Sequence, residues 1–323
     1  MYKSIKDFAK QFAFKPLVQN ARRLRKHERA IIIGMGGSHL GADIAKLLKP
    51  ELEIMVHSDY GLPHISSADR KKTLVMFSSY SGNTEEVLDA WSVARQSKLS
   101  VAAVSTGGKL LDLAKKAGVS YVELPNTNIQ PRMALGFNVL AIAKLLHEEK
   151  MTRDLSMLAL LLSPEAYAGT GKLLSEKLFG KVPVIYTSAR NRALAYNWKI
   201  KFNETGKIPA FFNVLPELNH NEMTGFDVVP RTHTLSKNFY FILLKDKNDS
   251  LQVQKRMSVL AKLLKARDFS VEISELSDKN PYKKIFASLL IADWAAYYTA
   301  LSYGVEPEQV PMVEEFKQLI KKK

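Results

Sequence analysis

The feature that most constrains this chain is a repeated unit: a short apolar run, a loop rich in glycine or hydroxyl side chains, then residues at helical spacing. Ala30-Ile31-Ile32-Ile33 stops at Gly34-Met35-Gly36-Gly37-Ser38, and Leu40 to Leu48 resumes helical periodicity. Continuous apolar runs suit strands covered on both faces, and strand, tight loop and helix together open a βαβ unit. The order returns at 52–56 and 73–77, the latter followed by a helix over 85–96, and again at 101–104 and 121–124, with a helix over 110–117 between them. An apolar helix is expected over 133–148. A second series begins at 182–187 and continues with a helix near 191–202, strands at 210–213, 239–244 and 271–273, and a long helix over 284–302. Alternation of this kind predicts an α/β fold with two lobes, each a mostly parallel sheet flanked by helices.

A chain of 323 residues exceeds what one hydrophobic core usually supports, which agrees with two lobes. The pattern divides into an N-terminal helical segment (1–27), a first lobe (28–150), a helical linker (151–180) broken at Ser163-Pro164, and a second lobe with a C-terminal helix (181–323). Arg22-Arg23-Leu24-Arg25-Lys26 reads as the solvated side of a helix, and Lys321-Lys322-Lys323 as a frayed end.

Several function classes are set aside. Cysteine is absent, so disulfides, thiolate nucleophiles and Cys-based metal sites are excluded. None of the seven histidines forms a helical ligand pair, and Pro63 breaks the spacing of His57 and His64, so no metal is expected. No run reaches the roughly 20 apolar residues of a membrane helix, and Met1 to Asp7 lacks the apolar stretch of a secretory signal. The expectation is a cytoplasmic protein with no membrane partner. The net charge of +15 favours anionic partners such as nucleic acid, anionic lipid and phosphorylated metabolites, but the basic residues are scattered, which argues against nucleic acid. Gly169-Thr170-Gly171-Lys172 lacks both the first glycine and the magnesium-binding hydroxyl of a nucleotide loop.

Open parallel sheets bind ligands beyond the carboxyl ends of their strands. Two such loops stand out. Gly34–Ser38, with Gly36 and Gly37, lets a ligand approach the backbone at a helix start. Ser78, Ser79, Ser81 and Thr84 set four aliphatic hydroxyls within seven residues before a helix. One would suffice as a cap, so four point to a phosphate monoester. In the second lobe Glu204 ends a helix beside Gly206, and His220 lies in the polar knot Pro216–Glu222. Taken singly, each has a bland reading as a solvated or locally bonded residue.

Together, Gly34-Met35-Gly36-Gly37-Ser38, Ser79-Tyr80-Ser81-Gly82-Asn83-Thr84-Glu85-Glu86, Pro131-Arg132, Asn203-Glu204 and Asn219-His220-Asn221-Glu222 resemble, in order, the motifs of bifunctional phosphoglucose/phosphomannose isomerases. The resemblance runs from about residue 28 to the C-terminus and implies two SIS-type lobes. It further implies 1,2-isomerisation of a sugar phosphate through an enediol, with no cofactor or metal. By matching positions, Ser38, Ser79, Ser81 and Thr84 would hold the phosphate, with Gly36 and Gly37 giving backbone contacts. Glu204 would shuttle the proton between C1 and C2. His220 would assist ring opening, Arg132 would face the enediolate, and Lys317 would match a site lysine near the C-terminus. Either Gln309 or Val310 stands where the family carries a threonine or glutamine. Relatives are dimers, so the resemblance implies a homodimer with His220 acting across the interface. The rival readings are a non-catalytic SIS-type sensor and an SIS-type isomerase of another sugar phosphate.

Overall fold

The computed structural model describes residues 1–321, which form two compact units, one spanning Lys6–Ser163 and the other joining Met1–Ile5 to the chain from Pro164 onward. Lys322 and Lys323 of the basic tail lie outside the described residues. The stretch 151–180 divides between the units. Helices Glu149–Ser156 and Leu158–Leu161 belong to the first, and Ala168–Lys177 to the second.

The first unit contains strands β1 (Val18–Gln19), β2 (Arg29–Ile33), β3 (Glu53–His57), β4 (Thr73–Ser78), β5 (Ser100–Ser105) and β6 (Ser120–Glu123). Their order is β1-β6-β5-β4-β2-β3, parallel except for β1, which pairs antiparallel with β6. Every residue of β4 is buried, as expected of a central strand covered on both faces. On one face Ile31, Ile33, Val75 and Phe77 pack with Val87 and Trp91 of helix Glu85–Gln96 and Leu110 of helix Gly108–Ala117. Helix Leu135–Leu145 is buried on nearly all sides, which explains why it is apolar all round rather than amphipathic.

The N-terminal segment is not the continuous helix expected over 1–27. A helix ends at Lys6, a 3₁₀ turn covers Phe8–Ala13, and the chain then extends past Pro16 into β1. Phe8 and Phe12 still meet edge to face in the core. The basic run 22–26 lies on a short 3₁₀ turn and a loop, where Arg23 Nη1 donates to the Gly118 carbonyl at 2.9 Å. It does not form a helix face.

The second unit holds β7 (Val182–Ser188), β8 (Phe211–Leu215), β9 (Phe239–Asp246) and β10 (Ser270–Leu276), ordered β10-β9-β7-β8 and parallel throughout. Helix Leu251–Lys265, absent from the pattern read above, covers β9 and β10, and its start is capped by Ser250. Helix Pro281–Ser302 is long and apolar enough, by length and composition, to cross a membrane, contrary to the expectation that no run is. Two thirds of its most apolar window (67%) is buried inside the protein, where it is a core helix. It carries two buried ion pairs, Lys201–Asp293 at 2.5 Å and Lys284–Asp246 at 2.7 Å. The nucleotide-like Gly169-Thr170-Gly171 lies inside a helix, where Gly171 meets the backbone of Trp294 and Ala295.

Candidate active site

In the first unit the chain leaves β2 for β3 on one side and returns to β4 on the other. The crevice between β2 and β4 is therefore the topological switch point, where α/β sheets bind ligands. Both loops singled out above emerge there, and they are bonded together. Ser38 Oγ accepts from the Tyr80 amide at 2.9 Å, and Ser78 Oγ donates to the Ser38 carbonyl at 2.6 Å. Beneath them the side-chain amide of Asn138 donates to Ser78 Oγ at 2.9 Å.

The hydroxyls of the second loop do not cap the helix that follows. Thr84 stands at the N-cap position without a capping bond, and its Oγ1 pairs with Ser79 Oγ at 2.8 Å. Ser79 Oγ also accepts from the Gly82 amide at 3.1 Å, while Ser81 is exposed. The first-turn amides of helix Glu85–Gln96 have no acceptor in a preceding turn, so hydroxyls and amide donors collect at the positive end of a helix dipole. Such a cradle is suited to an anion.

Arg132 joins this group through the backbone. A Cβ on Gly37 would lie 2.5 Å from the Arg132 nitrogen and 2.6 Å from the Pro131 carbonyl carbon, so only glycine allows the turn Pro131–Met133 to lie against the first loop. Arg132 itself is buried, at 2% exposure. Gly36 has φ +52°, a left-handed conformation that favours glycine. Ser38, Ser79, Thr84, Gly36, Gly37 and Arg132 are thus gathered on one edge, with Ser81 at its solvent side.

One supporting loop was not anticipated. Ser105-Thr106-Gly107-Gly108, running from the last residue of β5 to the first of helix Gly108–Ala117, backs the Ser79–Thr84 loop. Thr106 Oγ1 donates to the Tyr80 carbonyl at 2.7 Å, and a Cβ on Gly82 would lie 1.9 Å from the Gly107 oxygen. A glycine pair directly after a strand was the available signal.

In the second unit Glu204, half-buried, is the last residue of helix Arg192–Glu204. Lys207 Nζ donates to the Glu204 carbonyl at 2.6 Å and also to the Gln309 carbonyl, fastening the helix end to the stretch before the C-terminal helix. Lys317 lies on that helix, Pro311–Lys321, exposed and paired with Glu314 at 2.8 Å. Met312, Val313, Phe316, Leu319 and Ile320 form an uncovered apolar stripe on the same helix.

The unit does not bring Glu204 and His220 together. β7 and β8 are parallel neighbours, with Val184 opposite Phe211 and Ser188 opposite Leu215. The intervening helix must carry the chain from the carboxyl edge of β7 back to the amino edge of β8. Glu204 therefore lies at the amino edge. His220, exposed in the 3₁₀ turn Glu217–His220, lies beyond the carboxyl end of β8. The length of β8 and its flanking turns separates them by on the order of 15 Å.

The crevice between β7 and β9 is the second unit's own switch point. It is filled from within. Asp249 accepts from Ser188 Oγ at 2.8 Å, Asn191 donates to Ser188 Oγ at 3.0 Å, and Lys284 holds Asp246 with both oxygens. Burial pushes the Asp249 carboxyl above its ordinary range.

Residues 168–320 match the bacterial phospho-glucose isomerase C-terminal SIS domain. The chain is 31% identical to a bifunctional phosphoglucose/phosphomannose isomerase of Aquifex aeolicus, over 100% of this chain and 98% of that protein. The chain belongs to the bifunctional phosphoglucose/phosphomannose isomerase family. A second member of that family, from Caldicellulosiruptor bescii, is 32% identical over 90% of this chain and 88% of its own length. Among solved structures, glucosamine-6-phosphate deaminase from Thermotoga maritima superposes with a TM-score of 0.70 at 17% identity, covering 96% of this chain and 97% of that one. This similarity concerns the fold alone. The SIS-type α/β fold expected of a phosphoglucose/phosphomannose isomerase is the fold found here.

Proposed function

We propose that this chain interconverts glucose 6-phosphate and mannose 6-phosphate with fructose 6-phosphate through an enediol intermediate, without metal or cofactor, as a cytoplasmic homodimer serving glycolysis and gluconeogenesis. The observation that carries the reading is the end-to-end match to enzymes named for those two activities. The hydroxyl and amide cradle at the β2/β4 crevice supports it.

In this reading Ser38, Ser79, Ser81 and Thr84 bind the phosphate and fix the reacting carbons, with Gly36 and Gly37 offering backbone contacts. Glu204 takes the C2 proton of the open-chain aldose. The C2–H electron pair becomes the C1=C2 bond, and the carbonyl electrons move onto O1. Return of the proton at C1, with transfer of the hydroxyl proton from O2 to O1, gives the ketose. Hydrogen leaves and returns as a proton, so no redox partner is needed. A guanidinium at Arg132 stabilises the enediolate more than the neutral ground state. Proton transfer by a positioned carboxylate contributes about 10²–10⁴-fold.

The separation of Glu204 from His220 favours a site completed by His220 of the partner subunit, which would open the sugar ring. The uncovered stripe on helix Pro311–Lys321 supports an oligomer, and we assign Lys317 to the site as a residue carried by that helix. The test is formation of glucose 6-phosphate from fructose 6-phosphate and from mannose 6-phosphate in the presence of a chelator. Turnover abolished by the chelator, or no turnover at all, overturns the reading. Mixing the impaired Glu204→Gln and His220→Ala variants should raise activity to about a quarter of wild type if the histidine acts across a two-fold dimer, and bring no gain if it acts within its own chain.

A further inference from the structure

We propose that Tyr186 and Asn213 are positioning residues for His220, acting through the carboxylate of Glu222. The inference rests on the reading above, in which His220 meets the substrate. His220 belongs to a long connection between β8 and β9 that contributes no strand, and its ring is exposed. An exposed histidine on a long loop needs something to hold its backbone, because binding and catalysis depend on a loop's placement by a rigid scaffold.

Glu222, two residues on, supplies the hold. Its Oε1 accepts from the Tyr186 hydroxyl at 2.5 Å, and its Oε2 accepts from the Asn213 side-chain amide. Tyr186 and Asn213 are register partners on adjacent strands, so one carboxylate straddles a cross-strand pair. Tyr186 is 1% exposed and packs against Phe241 in the core, which makes it a fixed donor. Asn221 completes the turn: its Oδ1 accepts from the Glu222 amide at 2.5 Å, and its Nδ2 donates to Glu217 Oε1 at 2.9 Å. The turns on either side of His220 are thereby tied to each other and to the sheet. A carboxylate is costlier to desolvate than an apolar plug, but two donors on its two oxygens define a single orientation, which an apolar contact does not.

The test uses Tyr186→Phe and Glu222→Gln, each alone and each combined with His220→Ala, in the full-length protein. Losing one hydrogen bond to a charged acceptor should lower kcat on fructose 6-phosphate by at least about tenfold. KM should stay within about threefold of wild type, because the phosphate cradle is untouched. Neither substitution should add to the loss already caused by His220→Ala, since a residue acting through another has nothing left to position. Losses that multiply with that of His220→Ala, or a wild-type kcat in both single variants, overturn the proposal while leaving the isomerase reading intact. A His220→Ala variant with full activity on cyclic substrate overturns the histidine's role and this proposal together. If Tyr186→Phe fails to fold, Asn213→Ala takes its place in the same cycle.

Discussion

Replacing Gly37 with alanine tests whether the chemistry depends on how closely the Arg132 turn lies against the Gly34–Ser38 loop. The added methyl would lie 2.5 Å from one backbone atom and 2.6 Å from another. Ordinary contact begins near 3.5 Å, so one segment must retreat by about 1 Å. Backbone on both sides leaves no flexible side chain to absorb the shift. Overpacking of this kind costs about 1–3 kcal/mol, a lowering of Tm by several degrees. A displacement of about 1 Å in a positioning element costs about 10²-fold in rate, and we expect kcat on fructose 6-phosphate to fall by roughly 10- to 100-fold. Steady-state kinetics with thermal melts on the same preparation give both numbers. Gly169→Ala is the control: nothing lies within 4 Å of the new methyl, and the site is in a helix. That variant should keep its kcat and gain about 0.5–1 kcal/mol of stability. Gly37→Ala with lowered Tm but unchanged kcat would refute the link between loop contact and catalysis.

Glu204→Gln should lose at least about 10²-fold in turnover while still binding fructose 6-phosphate in a calorimeter; near-normal turnover assigns the base elsewhere. Lys207→Met removes the bonds to the Glu204 and Gln309 carbonyls, and kcat should drop severalfold while inhibition by inorganic phosphate is unchanged. Asp249→Asn should be more stable than the natural chain near neutral pH. With the folded-state value raised above 3.8, protonated Asp249 supports the fold fully below that pH, and the support is lost as pH rises through the raised value. The Tm difference between variant and wild type should therefore shrink as pH is lowered toward 4, and a pH-independent difference counts against it.

What could be read beforehand follows from range along the chain. The buried strands are legible as apolar runs, and the two loops at the β2/β4 crevice as glycine and hydroxyl clusters at strand ends, because both signals are local. Helix Leu251–Lys265 escaped because its apolar residues are diluted by lysines on the exposed face. The N-terminal segment departs from the expected helix because Phe8 and Phe12 have helical spacing, yet the pairing of Val18 with Val122, over a hundred residues away, decides the outcome. The contact of Gly37 with Arg132 and the straddling of Tyr186 and Asn213 by Glu222 are likewise invisible to spacing. The same holds for the opposed edges of Glu204 and His220: in sequence they look like neighbours, and only parallel pairing of β7 with β8 sends them apart.

The filled crevice of the second sheet bears on how many ligands one chain accepts. The corresponding edge of the first sheet offers hydroxyls and helix-start amides, whereas this one seats two aspartates with a single buried lysine against them. A phosphate entering there would meet like charge. Although both halves are wound alike, only the first crevice is suited to a phosphorylated ligand, and saturation should end at one equivalent per chain.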